Sequence, residues 1–252
     1  MKLGIILLGS GMSAFWASSL IAAPLVEEFG DLKVDWSNQS LQFTGTSAAS
    51  TSQDWKTAER LATDAAREAV SKAAESLFIE RQAALDQKQL DPQMLQTKQR
   101  LKSATFSRRN EYGSDGSLRV NLETRMARLF VLDGLTGESA PLPKDGPTGV
   151  IFRVKGNTKP QAVYTLKEQS EGTLLSPLQI NKTAYQKNLM GRWYKTPLTA
   201  EEQKKSAGQA PLTIDVTATK DGEFTVLKAD WDKVSQQALP LLKEAKVAVV
   251  VE

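Results

Sequence analysis

Two residue types are missing from this 252-residue chain: it contains no cysteine and no histidine. Without cysteine there is no disulfide, no thiolate nucleophile and no thiolate zinc site. Without histidine there is no imidazole general base and no imidazole metal ligand. What remains is an all-oxygen metal site, or chemistry carried by carboxylate, lysine, serine or tyrosine. A charge excess is also missing, because 32 basic residues face 29 acidic ones for a formal charge of +3. Nucleic-acid binding shows a clustered basic excess, and none is visible, so nucleic acid is set aside as a partner. The phosphate-cradling Gly-x-x-x-x-Gly-Lys-Ser/Thr pattern and the Gly-x-Ser-x-Gly elbow do not occur.

Hydrophobic content of 40% and charged content of 24% are those of a globular protein. Met1-Lys2 is followed by an uncharged stretch, Leu3 to Ala23, that ends in small residues. A basic start, an apolar run and a small-residue end read as a secretory signal peptide over residues 1–23, cleaved after Ala22 or Ala23. The alternative is a retained membrane anchor, since the stretch nearly has the length to span a bilayer. A chain with such a segment is expected to be exported. No cysteine is available for lipid attachment.

The stretch from Asp54 to Leu77 organises the first half. Trp55, Ala58, Ala62, Ala65, Ala69, Ala73 and Leu77 recur at steps of three and four, which draws one stripe on an α-helix. Thr51 and Asp54 read as a capping box. Before the helix, Leu41 and Phe43 alternate with polar residues and predict a strand over 40–46. A second helix is expected from Asp91-Pro92 to about Ser103. Gly113 to Gly116 reads as a hairpin turn between Thr105–Tyr112 and a strand from Leu118 through Leu122 that runs on towards Val131. The Gly/Pro-rich residues 133–149 read as a linker, which divides the chain into domains at 24–132 and 150–252.

In the second half, Val150–Val154, Gln161–Leu166, Leu212–Thr219, Phe224–Leu227 and Lys246–Val251 read as strands, and Trp231 to Glu244 as a helix capped by Asp230. Residues 167–209 read as irregular. The expected class is α+β: a long Ala-rich helix packed on a small antiparallel sheet, followed by a second small α+β domain.

No constellation points to a catalytic residue, a cofactor, a metal or a small-molecule substrate. Asp64 and Glu68 lie one helical turn apart, but Arg60, Arg67 and Lys72 beside them make a solvated ion-paired face the better reading. Asp115 and Asp221 suit hairpin turns. The most unusual cluster is Gly191-Arg-Trp-Tyr-Lys195. Arg192, Trp193, Tyr194 and Lys195 are therefore the candidate contact for a partner or a glycan. The competing reading puts Trp193 and Tyr194 in the core with the cations reaching outward. Trp36, Trp55 and Trp231 read as packing residues.

Leu41–Thr46, Trp55–Arg67 and Ser117–Leu122, in that order, resemble the strand, Ala-rich helix and later strand of the Lpp-twenty lipoprotein family. That family is related to the N-terminal domain of the flagellar protein FlgT and to FlgP. The resemblance covers about Trp36 to Val131. Gly146–Arg153, Pro160–Tyr164, Gly191–Tyr194, Pro211–Ile214 and Ala245–Val251 are similar to the C-terminal part of exported proteins that carry this module. The resemblance implies a bacterial periplasmic or outer-membrane-associated structural protein, of the kind that builds rings around a flagellar basal body. It implies no enzyme activity, and it implies an envelope protein partner or a homo-oligomer. The chain departs from the lipoprotein members in lacking the acylated cysteine. The alternative function is a periplasmic binding module for peptidoglycan or another cell-envelope glycan.

Overall fold

The computed structural model describes residues 24–47, 54–103, 106–139, 141–142, 145–169 and 172–252. The expected signal segment and the Thr51 cap lie outside the described residues.

The first sheet is built from β1 (Val26–Phe29), β2 (Leu32–Asp35), β3 (Ser40–Ser47), β4 (Ser107–Tyr112) and β5 (Leu118–Arg125). Its order is β1-β2-β3-β5-β4, and every neighbouring pair is antiparallel. The alternation in β3 buries Leu41 and Phe43, and β5 buries Leu118, Val120 and Leu122 on the same side. Helix α1 (Trp55–Glu80) lies over β3 and β5. Asp54 caps it, its carboxylate accepting from the Thr57 N–H at 3.0 Å. The approach is close because Gly45 has no side chain. A Cβ there would lie 2.0 Å from the Ala62 carbonyl oxygen and 2.4 Å from the Ala66 nitrogen.

The buried stripe keeps Ala58, Ala62 and Leu77 of the expected one and departs from it in between. Ala58, Ala62, Ala66 and Val70 are buried, whereas Ala65 is exposed, Ala69 only half-buried and Trp55 48% exposed. Helix α2 (Gln87–Ser103) starts a turn earlier than Asp91-Pro92 implies. Asp86 and Gln89 exchange side-chain-to-backbone hydrogen bonds at its start, which is the reciprocal capping arrangement. Strand β5 does not continue to Val131; it gives way to the single turn α3 (Met126–Leu129).

The second sheet contains β6 (Val150–Lys155), β7 (Thr165–Glu168), β8 (Thr173–Leu175), β9 (Arg192–Lys195), β10 (Leu212–Lys220), β11 (Glu223–Val226) and β12 (Val247–Val251). A 3-10 turn (Pro177–Gln179), α4 (Lys182–Asn188), α5 (Ala200–Ser206) and α6 (Lys228–Lys243) complete it. The order is β8-β7-β11-β10-β6-β12-β9. β6 runs parallel to β10 and β12, and β12 parallel to β9. Residues Val247 to Val250 are all buried because both faces of β12 are covered. Val247 and Val249 enter the main core, while Ala248 and Val250 pack with Ile151, Tyr194 and Ala207 on the side of α5. Each fully buried valine contributes about 1.5–3 kcal/mol.

The expected α+β class is therefore corrected. Among the described residues the chain is mixed α/β, with sheets of five and seven strands, six α-helices and one 3-10 turn. The second half is not a small α+β unit but the larger sheet, held by parallel pairing. Residues 167–209, expected to be irregular, supply β8, β9, α4 and α5. A single long helix on a small sheet does not describe the architecture.

One core runs through both sheets. Phe78 stacks on Phe130 at 6.1 Å, Phe130 meets Trp36 at 6.3 Å, and the Trp193 N–H donates to the Trp36 carbonyl at 3.4 Å. Beneath them Arg81, 2% exposed, donates from Nη2 to Glu27 Oε1 at 2.8 Å, and Glu27 Oε2 accepts from Trp36 Nε1 at 2.7 Å. The Arg81 carbonyl accepts the Ala162 N–H at 2.8 Å. The Gly/Pro-rich stretch is stitched to the second half, where the Thr136 N–H donates to the Leu178 carbonyl at 2.8 Å and Gly137 bridges to Asn181.

Candidate binding cleft

Strand β9 carries the four residues singled out by sequence, and the strand's own alternation does not divide them. Trp193 and Tyr194 are both buried, 1% and 2% exposed, because both faces of the sheet are covered: Trp193 enters the main core, and Tyr194 packs with Ile151, Ala207, Ala248 and Val250 on the side of α5. The Trp193 indole donates to the Gln161 carbonyl at 2.9 Å and packs against Phe224. The Tyr194 hydroxyl donates to the Ser37 carbonyl, and burial pushes its ionisation upward. Neither ring offers a stacking face to a glycan. Lys195 is exposed, and Arg192 is half-buried at the mouth of a cleft.

That cleft lies where the two sheets join. Its first wall is the turn from β2 to β3. Asn38 is fixed by two hydrogen bonds to the Asp35 carboxylate, both 2.8 Å. Ser37 is fixed by donating from Oγ to the Trp193 carbonyl at 2.8 Å. Gln39 adopts a left-handed backbone, φ 57°, and is 5% exposed. Its amide donates to the carbonyls of Asn188 (2.5 Å) and Gly191 (2.8 Å), which pins the α4–β9 turn to the first sheet. In that turn Leu189 also has a positive φ of 49°. Strained backbone held in place by its surroundings is characteristic of functional sites.

The cavity measures about 320 Å³. Arg125 from the end of β5, Lys187 from α4, Arg192 from β9 and Lys205 from α5 line it together with Asn38, Gln39, Ala127 and Asn188. Among the described residues no carboxylate lines it. Arg192 donates to the Ser37 carbonyl at 3.0 Å, and Lys205 to Asn38 Oδ1 at 2.6 Å. Burial is the main cause that draws the Arg192 guanidinium below its ordinary pKa; Tyr194 and Asp35 oppose this and Arg125 adds to it. Gln39 and Arg125 also border a second groove of about 590 Å³ that runs along β5 past Phe106 and Thr124.

The other candidate carboxylates hold structure. Asp64 pairs with Arg60 at 3.5 Å on an exposed face. Asp115 accepts from the Ser117 hydroxyl and N–H within its hairpin, which holds its pKa below the usual value. Asp221 accepts from the Lys159 N–H at 3.3 Å. Among the described residues no group of three or more aspartates or glutamates is arranged to hold a metal, and no helix is long and apolar enough to cross a membrane. Of the cleft cations, sequence pointed only to Arg192. Arg125, Lys187 and Lys205 come from separate elements, so no local motif announces them. No protein-family model matches this chain, and no curated protein matches it.

Proposed function

We propose that this chain is a non-enzymatic exported envelope protein acting as a structural or assembly component, one that docks a protein partner or a second copy of itself. Its resemblance to the Lpp-twenty and FlgT N-terminal group, and the basic, apolar, then small-residue stretch at its start, support the periplasm or the outer-membrane face as its site and a flagellar assembly as its setting. The observation that carries the assembly role is the Trp55–Tyr112 pair. The two rings meet edge to face at 4.9 Å, yet remain 48% and 59% exposed. They sit at one end of β4, an edge strand that among the described residues pairs only with β5. Aromatic anchors beside an open strand edge are the residue types and the backbone that protein interfaces use. Arg108 and Glu59 pair beside them, and charge along β4 keeps the edge from pairing indiscriminately.

The test is light scattering on the mature protein combined with in-cell crosslinking from position 112. The expected result is an oligomer or a crosslinked envelope protein that is lost in Trp55→Ser. A strict monomer that crosslinks to nothing overturns the proposal.

The second reading, a binding module for peptidoglycan or another envelope glycan, has Arg192 and its neighbouring cations in its favour rather than the buried Trp193. Retention on purified sacculi that drops in Arg125→Gln supports it; equal retention removes it.

A further inference from the structure

We propose that the cleft between the two sheets binds a compact multivalent anion carrying carboxylate or phosphate groups. This holds whether or not the assembly role does. Three observations lead to it. First, cations from four different elements, Arg125, Lys187, Arg192 and Lys205, converge on one cavity of about 320 Å³ with no carboxylate among the described residues of its lining. In a chain whose charges nearly balance, and where exposed cations such as Arg60, Arg119 and Arg153 find acidic partners, no ion pair within the described residues engages any of these four. Asp35 acts on Arg192 through its charge alone, without an ion pair, and both its oxygens accept from Asn38. Four cations held together with so little counter-charge repel, and a bound anion removes that repulsion.

Second, the wall of the cleft is built rather than loose. Gln39 is nearly fully buried in a left-handed conformation, and its amide clamps two carbonyls of the α4–β9 turn. The clamp fixes Arg192 relative to Arg125 across the sheet junction. It leaves Gln39 Oε1 and Arg192 Nε as buried polar atoms without a hydrogen-bond partner. Unsatisfied buried groups are few in folded proteins and call for an explanation. Here the guanidinium is held to the wall by its terminal nitrogens, Nη1 on the Ser37 carbonyl and Nη2 on Asn188 Oδ1, and Nε is the atom left unmet. Third, the volume lies within the range of small-ligand sites, and Arg125 brings to it the planar fork that recognises carboxylate or phosphate, beside the charge of Arg192, whose terminal nitrogens are held by Ser37 and Asn188.

The experiment is calorimetric titration of the full chain with citrate and, separately, with inorganic phosphate, against a sodium chloride control of equal ionic strength. Saturable one-to-one binding tighter than about 1 mM is expected for at least one of them. Citrate alone identifies carboxylate chemistry, phosphate alone identifies phosphate chemistry, and either supports the site. Arg125→Gln and Lys187→Gln, whose side chains have no structural hydrogen bonds in the cleft, should each weaken binding about tenfold. Lys195→Gln, on the same strand as Arg192 but outside the cleft, should leave it unchanged. No saturable binding of either anion up to about 10 mM overturns the proposal. So does a loss in Lys195→Gln equal to that in Lys187→Gln, since binding would then follow overall charge rather than this cleft.

Discussion

Removing Glu27 should cost more than removing the arginine it holds. Arg81 is 2% exposed, and only Nη2 of its guanidinium has a close partner, Glu27 Oε1 at 2.8 Å; Nε and Nη1 lack a hydrogen-bond partner, and Nη1 lies 4.0 Å from Glu80 Oε2. Glu27→Ala leaves that cation buried with the Glu80 carboxylate, 4.0 Å from Nη1 and half exposed to water, and the Phe29 face, 5.6 Å away, as its remaining compensation. Stranding a buried charge costs about 3–5 kcal/mol. The same change orphans the Trp36 indole N–H, which adds about 1 kcal/mol or more. Arg81→Met keeps most of the volume and removes two unsatisfied donors. It leaves Glu27 with its Trp36 bond and a side chain 24% exposed to water, so the cost is about 1–2 kcal/mol. Urea unfolding of Glu27→Ala, Arg81→Met and the double variant measures all three. The double variant should regain about 2 kcal/mol over Glu27→Ala, because the stranded charge is gone. If Arg81→Met proves as damaging as Glu27→Ala and the double variant recovers nothing, the arginine acts through the packing of its stem and the charge argument fails.

Other positions give equally direct expectations. Ala66→Leu, facing Gly45 across the closest helix–sheet contact, should destabilise by about 1–3 kcal/mol or more in urea unfolding, while exposed Ala65→Leu should stay within about 0.5 kcal/mol. The opposite order would put the other stripe on the sheet. Trp193→Ala should cost about 3–5 kcal/mol, read as a fall in Tm, because the indole fills the core and donates to Gln161; an unchanged Tm would return it to the surface. Glu223 takes hydrogen bonds from Lys167 at 2.6 Å and Thr219 at 3.0 Å, and the Lys167 bond is the main cause holding its carboxyl below the ordinary 4.5. A carboxyl depressed in the folded state stabilises above its unfolded value and loses that stability as the pH falls through its folded value. Glu223→Gln should therefore be less stable than the parent at pH 7, and the two should converge on acidification in a pH series of urea midpoints. A gap that persists below the carboxylate range would assign the difference to packing.

Features encoded over a few residues were legible in the sequence. The alternation of Leu41 and Phe43, the Gly113–Gly116 and Lys220–Glu223 turns and the apolar run of β12 each state their structure locally. The face of α1 was not legible, because alanines at 58, 62, 65, 66, 69 and 73 trace two stripes a residue apart. Only Gly45, on another element, decides between them. The short strands and helices within 167–209 were hidden because a strand such as β9, RWYK, owes its place to one parallel neighbour, β12, more than fifty residues away. The fold class went wrong with them, since their sheet is the larger of the two. The cleft was illegible for the same reason: its cations share no helix, strand or spacing.

Strand β12 sits between β6 and β9, and those two strands do not touch each other. Emerging from a ribosome or a secretion channel, the chain delivers both outer partners well before the strand that joins them. Until residues 247–251 arrive, β9 has no strand to pair with. The strand that joins β9 to the rest of the second sheet thus comes last, so any nascent or clipped chain short of β12 exposes two unsatisfied strand edges and advertises itself to proteases and chaperones.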